Sequence, residues 1–72
     1  MALYDDAVTV ASIYLGPAAK GFLSRQLKKL YIDVQALERG HLEKLAEECF
    51  MSGKVFMDEA KAITFSQQIK AL

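Results

Sequence analysis

Apolar residues recur three and four positions apart along most of this chain. The clearest run is residues 41–57, HLEKLAEECFMSGKVFM. Leu42, Leu45, Ala46, Cys49, Phe50, Phe56 and Met57 follow one stripe, and Glu43, Lys44, Glu47, Glu48 and Lys54 lie off it. This is the period of a helix with one buried side. The same period predicts a first helix over about Tyr4–Leu15, with Asp5 and Asp6 at the positive end of its dipole. Gly16-Pro17 stops it, and Pro suits the start of a second helix over Pro17–Leu30. Ala19, Phe22, Leu23, Leu27 and Leu30 form its inner stripe, with Lys20, Ser24, Arg25, Lys28 and Lys29 elsewhere on it. Asp33 reads as an N-cap leading a short turn over Val34–Leu37, and Gly40 as a break or a helix start. Asp58 reads as the N-cap of a last helix reaching Ile69 or beyond. On that helix Ala62, Phe65, Ile69 and Leu72 face inward with Ile63 beside them.

No β-branched run alternates with polar residues, so no strand is expected. The pattern predicts an all-α fold. It is a small bundle of four main helices in a single domain over residues 1–72, with Val34–Leu37 as a short extra turn. Ser52-Gly53 is the ambiguous point. Gly in a helix interior costs roughly 1 kcal/mol against Ala, which favours a stop there. Positions 42, 45, 49, 53 and 56 nevertheless trace one stripe, so the favoured reading is a continuous helix to about Met57. Gly53 would then sit on the inner face and let another helix come close.

Composition adjusts this picture. At 72 residues the chain makes one domain at most. A domain of this size buries only about 60% of its unfolded surface and needs a rich core. The apolar fraction is 53%, above the usual ~45–50%, and the excess can fill a core or an interface. Nine basic residues balance nine acidic ones. Zero net charge argues against broad electrostatic binding to nucleic acid or to an anionic membrane. The lone Cys49 cannot form an internal disulfide. MALYDDAVTV lacks the basic start of a signal peptide, and no run nears the ~18–20 apolar residues of a membrane span. The chain therefore reads as soluble, unexported and cytoplasmic.

Two segments carry functional hints. In the first helix Leu3, Tyr4, Ala7, Val8, Val10, Ala11, Ile13, Tyr14 and Leu15 cover most of the circumference. A helix that is apolar all round is buried on more than one side. Two readings stand: it threads the bundle centre with single exposed residues, or a face holding Val10, Ile13 and Tyr14 packs on another chain. The second helix carries Lys20, Arg25, Lys28 and Lys29, and no acid occurs between Asp6 and Asp33. A phosphate-contacting helix is one reading. A solvated face balanced by neighbouring acids is preferred, because the chain is neutral and no short face gathers base-reading side chains.

Catalytic and metal chemistry find little support. His41, Glu38 and Cys49 fall short of the three or four closely spaced ligands that zinc needs. His41 and Cys49 lie eight residues apart on one helix, about 12 Å of rise, which is too far for a nucleophile–base pair. Glu47 and Glu48 diverge around their helix. The amides of the Gly16-Pro17-Ala18-Ala19-Lys20 turn could hold an anion, but a simple interhelical turn explains them. No enzyme activity, cofactor, metal or small-molecule substrate is expected.

The stretch IYLGPAAKGFLSRQLKKL, residues 13–30, resembles the start of a small helical domain of bacterial signalling proteins. That domain often lies C-terminal to a serine/threonine kinase domain. The family shows an aromatic-apolar-Gly-Pro-x-Ala-Lys stretch, a helix of HLEKLA type, and an acidic-Lys-Ala ending like DEAKAITFSQQIKAL here. The likeness spans Val10–Leu72. It implies an accessory helical module used for association or regulation, with no catalytic residues of its own. Tyr14, Gly16, Pro17, Ala19 and Lys20 are the matching positions, as structural as they are functional, and no kinase motif precedes them. The resemblance also implies a helix uninterrupted at Gly53.

The expectation is a non-enzymatic protein-interaction or regulatory module that binds a protein partner or a second copy of itself. Val10, Ile13 and Tyr14 are the candidate contact residues, with Lys20 and Arg25 as polar rim. The alternatives are a small nucleic-acid-binding domain using the basic second helix, and a purely structural part of a larger protein.

Overall fold

The computed structural model describes residues 2–72. Helix α1 spans Leu3–Leu15, α2 Ala19–Lys29, α3 Leu42–Gly53 and α4 Glu59–Lys70. Three single 3-10 turns, Gly16–Ala18, Val34–Ala36 and Arg39–His41, occupy the connections. No strand occurs among the described residues, and the chain is all-α as its periodicity predicts. None of these helices is long and apolar enough to cross a membrane.

The helix ends follow from local chemistry. Asp5 and Asp6 sit in the first turn of α1. Gly16 closes that helix at φ 56° and ψ −132°, a combination nearly restricted to glycine, which has no Cβ to clash. Pro17 lies in the 3-10 turn that follows, so α2 begins two residues later than the sequence predicts. Lys28 and Lys29 occupy the last turn of α2, where cations suit the dipole. Beyond it the Tyr31 N–H donates to the Lys28 carbonyl at 3.1 Å and the Ile32 N–H to the Leu27 carbonyl at 3.0 Å. These two bonds make a Schellman ending, and they hold Tyr31 at φ 59° where glycine is usual. Asp33 accepts the Gln35 N–H at 2.8 Å, and Asp58 accepts the Lys61 N–H at 2.8 Å, so both predicted N-caps form.

α3 and α4 run antiparallel. Lys70 near the end of α4 lies 3.7 Å from Glu43 at the start of α3, while Gly53 faces Ala62 at the opposite end. α1 packs on α2 and α4, and α2 also packs on α3. The core between them holds Leu23, Leu27, Leu45, Cys49, Phe65 and Ile69, all buried. α1 contributes only Ala7 and Ala11 to the fully buried set. Its larger side chains Leu3, Tyr4, Val8, Val10, Tyr14 and Leu15 are partly covered and rest against the core edge.

The expected continuous helix to Met57 is not formed: α3 ends at Gly53. The Val55 N–H bonds to Ser52 at 3.2 Å, and the Phe56 and Met57 N–H groups both bond to Gly53, at 3.0 and 2.9 Å. The physical reason is chain reversal. A helix running to Met57 with α4 capped at Asp58 leaves no residues to turn the chain back, and antiparallel packing of α3 on α4 needs residues 54–58 for that turn. Gly53 is buried, as its stripe position implies. However, a Cβ added there would meet Ala62, Met57 and Phe65 at 3.8 Å, an ordinary contact. No close helix approach depends on this glycine. Ile63, placed beside the inner residues of the last helix, is 40% exposed.

Candidate functional site

The turn after α3 has a second consequence. Phe56, which the stripe assigns to the interior, is 59% exposed. Its ring still meets Phe22 edge-on at 5.9 Å. Phe22 lies 5.9 Å from Phe65, and Phe65 lies 5.2 Å from Tyr14. A row of four rings thus runs from the α1 edge through the core to the surface at Phe56, with spacings and tilts typical of favourable aromatic pairs.

Phe56 walls two clefts. One, of about 370 Å³, is lined by Leu15, Pro17, Ala18, Phe22, Arg25 and Phe56, where the end of α1 meets the start of α2. The other, of about 350 Å³, is lined by Ile13, Tyr14, Phe56, Met57, Asp58 and Lys61. Ile13 stands 73% exposed at its edge. The result is a mostly apolar surface with Arg25 in one cleft beside Phe56 and the Asp58 and Lys61 charges together in the other. The Leu15–Phe22 cleft is mainly apolar and the Ile13–Lys61 cleft is mixed; a protruding aromatic and a protruding aliphatic beside such clefts are typical of surfaces that dock other molecules.

The residues singled out from sequence divide around this surface. Ile13, Tyr14 and Arg25 come together on it. Tyr14 is half-buried, its ring on Phe65 and its hydroxyl donating to Gln68 Oε1 at 2.9 Å, so it is pinned in place. Val10 is partly buried against the core edge and lines neither cleft. Lys20 is exposed but outside both clefts; its carbonyl accepts the Tyr4 hydroxyl at 3.4 Å, on the side where Tyr4 also meets Ser24 at 2.9 Å. Phe56 was missed from sequence because a residue near a helix end keeps its stripe position only while the helix continues. The signal was there in Ser52-Gly53 followed by the Asp58 cap.

A second polar feature also escaped the sequence. Gln26 is fully buried on the inner stripe of α2. Its Nε2 donates to the Phe22 carbonyl at 3.2 Å, and its Oε1 accepts from the Ser52 hydroxyl at 2.9 Å. Lys29 Nζ donates to the same hydroxyl at 3.2 Å. The amide is therefore satisfied and ties α2 to α3, a structural role.

The reactive side chains are placed unfavourably for chemistry. Cys49 is buried in the core, and burial, then the nearby Glu48 charge, pushes its thiol up to about 12. A thiol held protonated is a poor nucleophile and metal ligand. His41 Nδ1 accepts the Glu38 N–H at 3.2 Å and shapes the start of α3. Among the described residues no three His, Cys, Asp or Glu side chains converge as a metal site would require. Comparison with protein-family models, curated proteins and solved structures finds no match to this chain.

Proposed function

We propose that this chain is a non-enzymatic protein-interaction module, a small bundle of four helices that works by docking rather than by chemistry. The observation that carries the reading is the exposure of Ile13 and Phe56 beside two clefts, one mainly apolar and the other mixed, with Val55 exposed next to Phe56 in the same turn. Tyr14 and Arg25 complete the contact surface, Tyr14 as a rigid wall and Arg25 as polar rim. A rigid aromatic support, a protruding anchor and a charged rim match the usual anatomy of a protein interface. The setting, a cytoplasmic bacterial signalling or regulatory protein, rests on the resemblance of residues 13–30 to that class of module.

The test is Ile13→Asp. The variant is expected to keep its helical circular dichroism and to lose capture of whatever protein the parent domain retains specifically. Unfolding of the variant, or retention of the same partner, would overturn the assignment of this surface. A nucleic-acid reading draws on the exposed Lys20, Arg25, Lys28 and Lys29 of α2, a helix with no acid of its own. That reading requires affinity for DNA or RNA at low salt that falls steeply as salt is added. It is the weaker of the two, because the chain is neutral overall and Lys29 is engaged with Ser52.

A further inference from the structure

The solvent face of α2 carries charge of one sign. Residues 7–32 hold Lys20, Arg25, Lys28 and Lys29 and no acid, so all nine acids of this neutral chain lie elsewhere. Lys20, Ser24 and Lys28 recur four apart, which stacks them on one side of the helix, with Arg25 next to them. All four are exposed. Lys29 is engaged with Ser52 and is left out of this set. The elements around α2 carry Asp5, Asp6, Asp33, Glu43, Glu47 and Glu48. Asp6 lines a cleft with Arg39, Asp33 caps Gln35, and Glu43 and Glu47 share a groove with Lys70. Asp5 is exposed at the start of α1, and Glu48 lies one turn before Ser52 on α3. None of the six comes within 4.0 Å of an α2 cation, and the one ion pair among the described residues is Lys70–Glu43.

The helix ends at Tyr31. The ring is 97% exposed, so nothing in the chain covers it, and the residue holds φ 59° at a position where glycine is usual. A strained backbone that supports no internal contact points to a contact outside the chain. Tyr and Arg are also the residues that most often anchor protein interfaces.

We propose that this face binds an acidic segment of a partner protein. Carboxylates of the segment pair with Lys20, Arg25 and Lys28, and one of its apolar side chains covers the Tyr31 ring. The proposal rests on the reading of the chain as a protein-interaction module and adds the chemistry of the partner. Arg25 also lines the Leu15–Phe22 cleft, so the basic face continues into the surface around Phe56. Charge selects the occupant. A basic partner would set like charges against each other, and a neutral one would cover three cations that have no carboxylate of their own. Nucleic acid fits less well. Lys20 and Lys28 are about 12 Å apart along the helix, so the three free cations reach few phosphates, and the rest of this neutral chain adds repulsion rather than steering.

The probe is an end-blocked peptide of repeated Glu-Glu-Leu, about 12 residues long, with repeated Gln-Gln-Leu as its uncharged control. Each is titrated into the isotope-labelled full chain at low salt and followed by NMR. The Glu peptide is expected to shift amides from Lys20 to Tyr31 in a saturable way that weakens as salt is added, and the Gln peptide is expected to leave them unmoved. Lys28→Glu is expected to weaken binding by about fivefold or more. Tyr31→Gly is expected to weaken it by about threefold or more while the urea midpoint rises, which separates contact from folding. Absence of shifts on α2, equal binding of the two peptides, or full binding by Tyr31→Gly overturns the proposal. A single-stranded oligonucleotide or an anionic vesicle that binds α2 more tightly than the Glu peptide also overturns it, in favour of that ligand. Ile13→Asp keeps the two surfaces apart. Capture of a foreign protein that is lost in Ile13→Asp, with no peptide shift in the parent, removes the acidic segment and leaves the docking reading standing. Capture that Ile13→Asp retains and Lys28→Glu loses does the reverse.

Discussion

Tyr31 is the residue most at odds with its surroundings. It is 97% exposed and sits at φ 59°, the C′ position of the Schellman ending of α2. A Cβ in the left-handed region costs roughly 1–2 kcal/mol, partly offset because glycine loses more entropy on folding. The ring makes almost no contact that substitution could lose. Tyr31→Gly is therefore expected to raise stability by about 0.5–1 kcal/mol, read as a higher urea midpoint at unchanged m. Cys49 sets a pH dependence. Below about pH 9.0 folded and unfolded chains both hold the thiol proton. Between 9.0 and about 12 only the unfolded chain releases it, so the unfolded state binds fewer protons and stability falls as pH rises. Denaturant midpoints between pH 8 and pH 10.5 are expected to drop more steeply in the parent chain than in Cys49→Ala, which lacks this group. Equal slopes would mean that the thiol is not desolvated.

At the level of elements, the junction of α3 and α4 decides most. Sequence periodicity runs through it unbroken, yet the chain needs residues 54–58 to reverse, and that turn lifts Phe56 out of the interior. Gly53 ends α3 with helical geometry, and a methyl group there would pack at 3.8 Å on Ala62, Met57 and Phe65. Gly53→Ala is expected to stabilise the fold by about 0.5–1 kcal/mol through reduced entropy of the unfolded chain, measured by thermal and urea denaturation. Destabilisation would show that the α3–α4 contact is tighter than these distances. Gly16 answers the opposite way. It has open space around it but a positive φ of 56° with ψ −132°, a combination nearly restricted to glycine, so Gly16→Ala is expected to cost about 1–3 kcal/mol despite the room for a methyl. The two glycines separate steric room from backbone conformation as causes.

Taken as a whole, the molecule exposes 4592 Å², close to the ~4,450 Å² that scaling gives for a folded monomer of 8.0 kDa. Residue by residue, the large apolar side chains of α1 are partly covered except Ile13, so the interface reading narrows to the side holding Ile13. The distribution of burial makes this testable as stability. Ile13→Asp, at a site 73% exposed, is expected to change unfolding free energy by no more than about 0.5 kcal/mol. Leu23→Ala, at a site fully buried, is expected to cost about 2–5 kcal/mol. Comparable losses in both variants would place Ile13 in the core.

Local pattern alone determined the helical class, the breaks at Gly16-Pro17 and Asp58, both N-caps, and the inner stripes of α2 and α4. These depend on interactions within a few residues: hydrogen bonds at helix ends, fixed backbone angles at Gly and Pro, and the 3.6-residue period. Only the tertiary structure decided which apolar residues stay outside. Ile13, Val10 and Tyr14 have similar apolar character on one helix, yet Val10 and Tyr14 are covered by neighbours while Ile13 is not. Phe56, expected inside, is exposed for the same reason, and Gln26, which the pattern left unassigned, is buried. Burial belongs to the space between elements, and that space is set by how α3 turns back on α4 and by where α1 comes to rest.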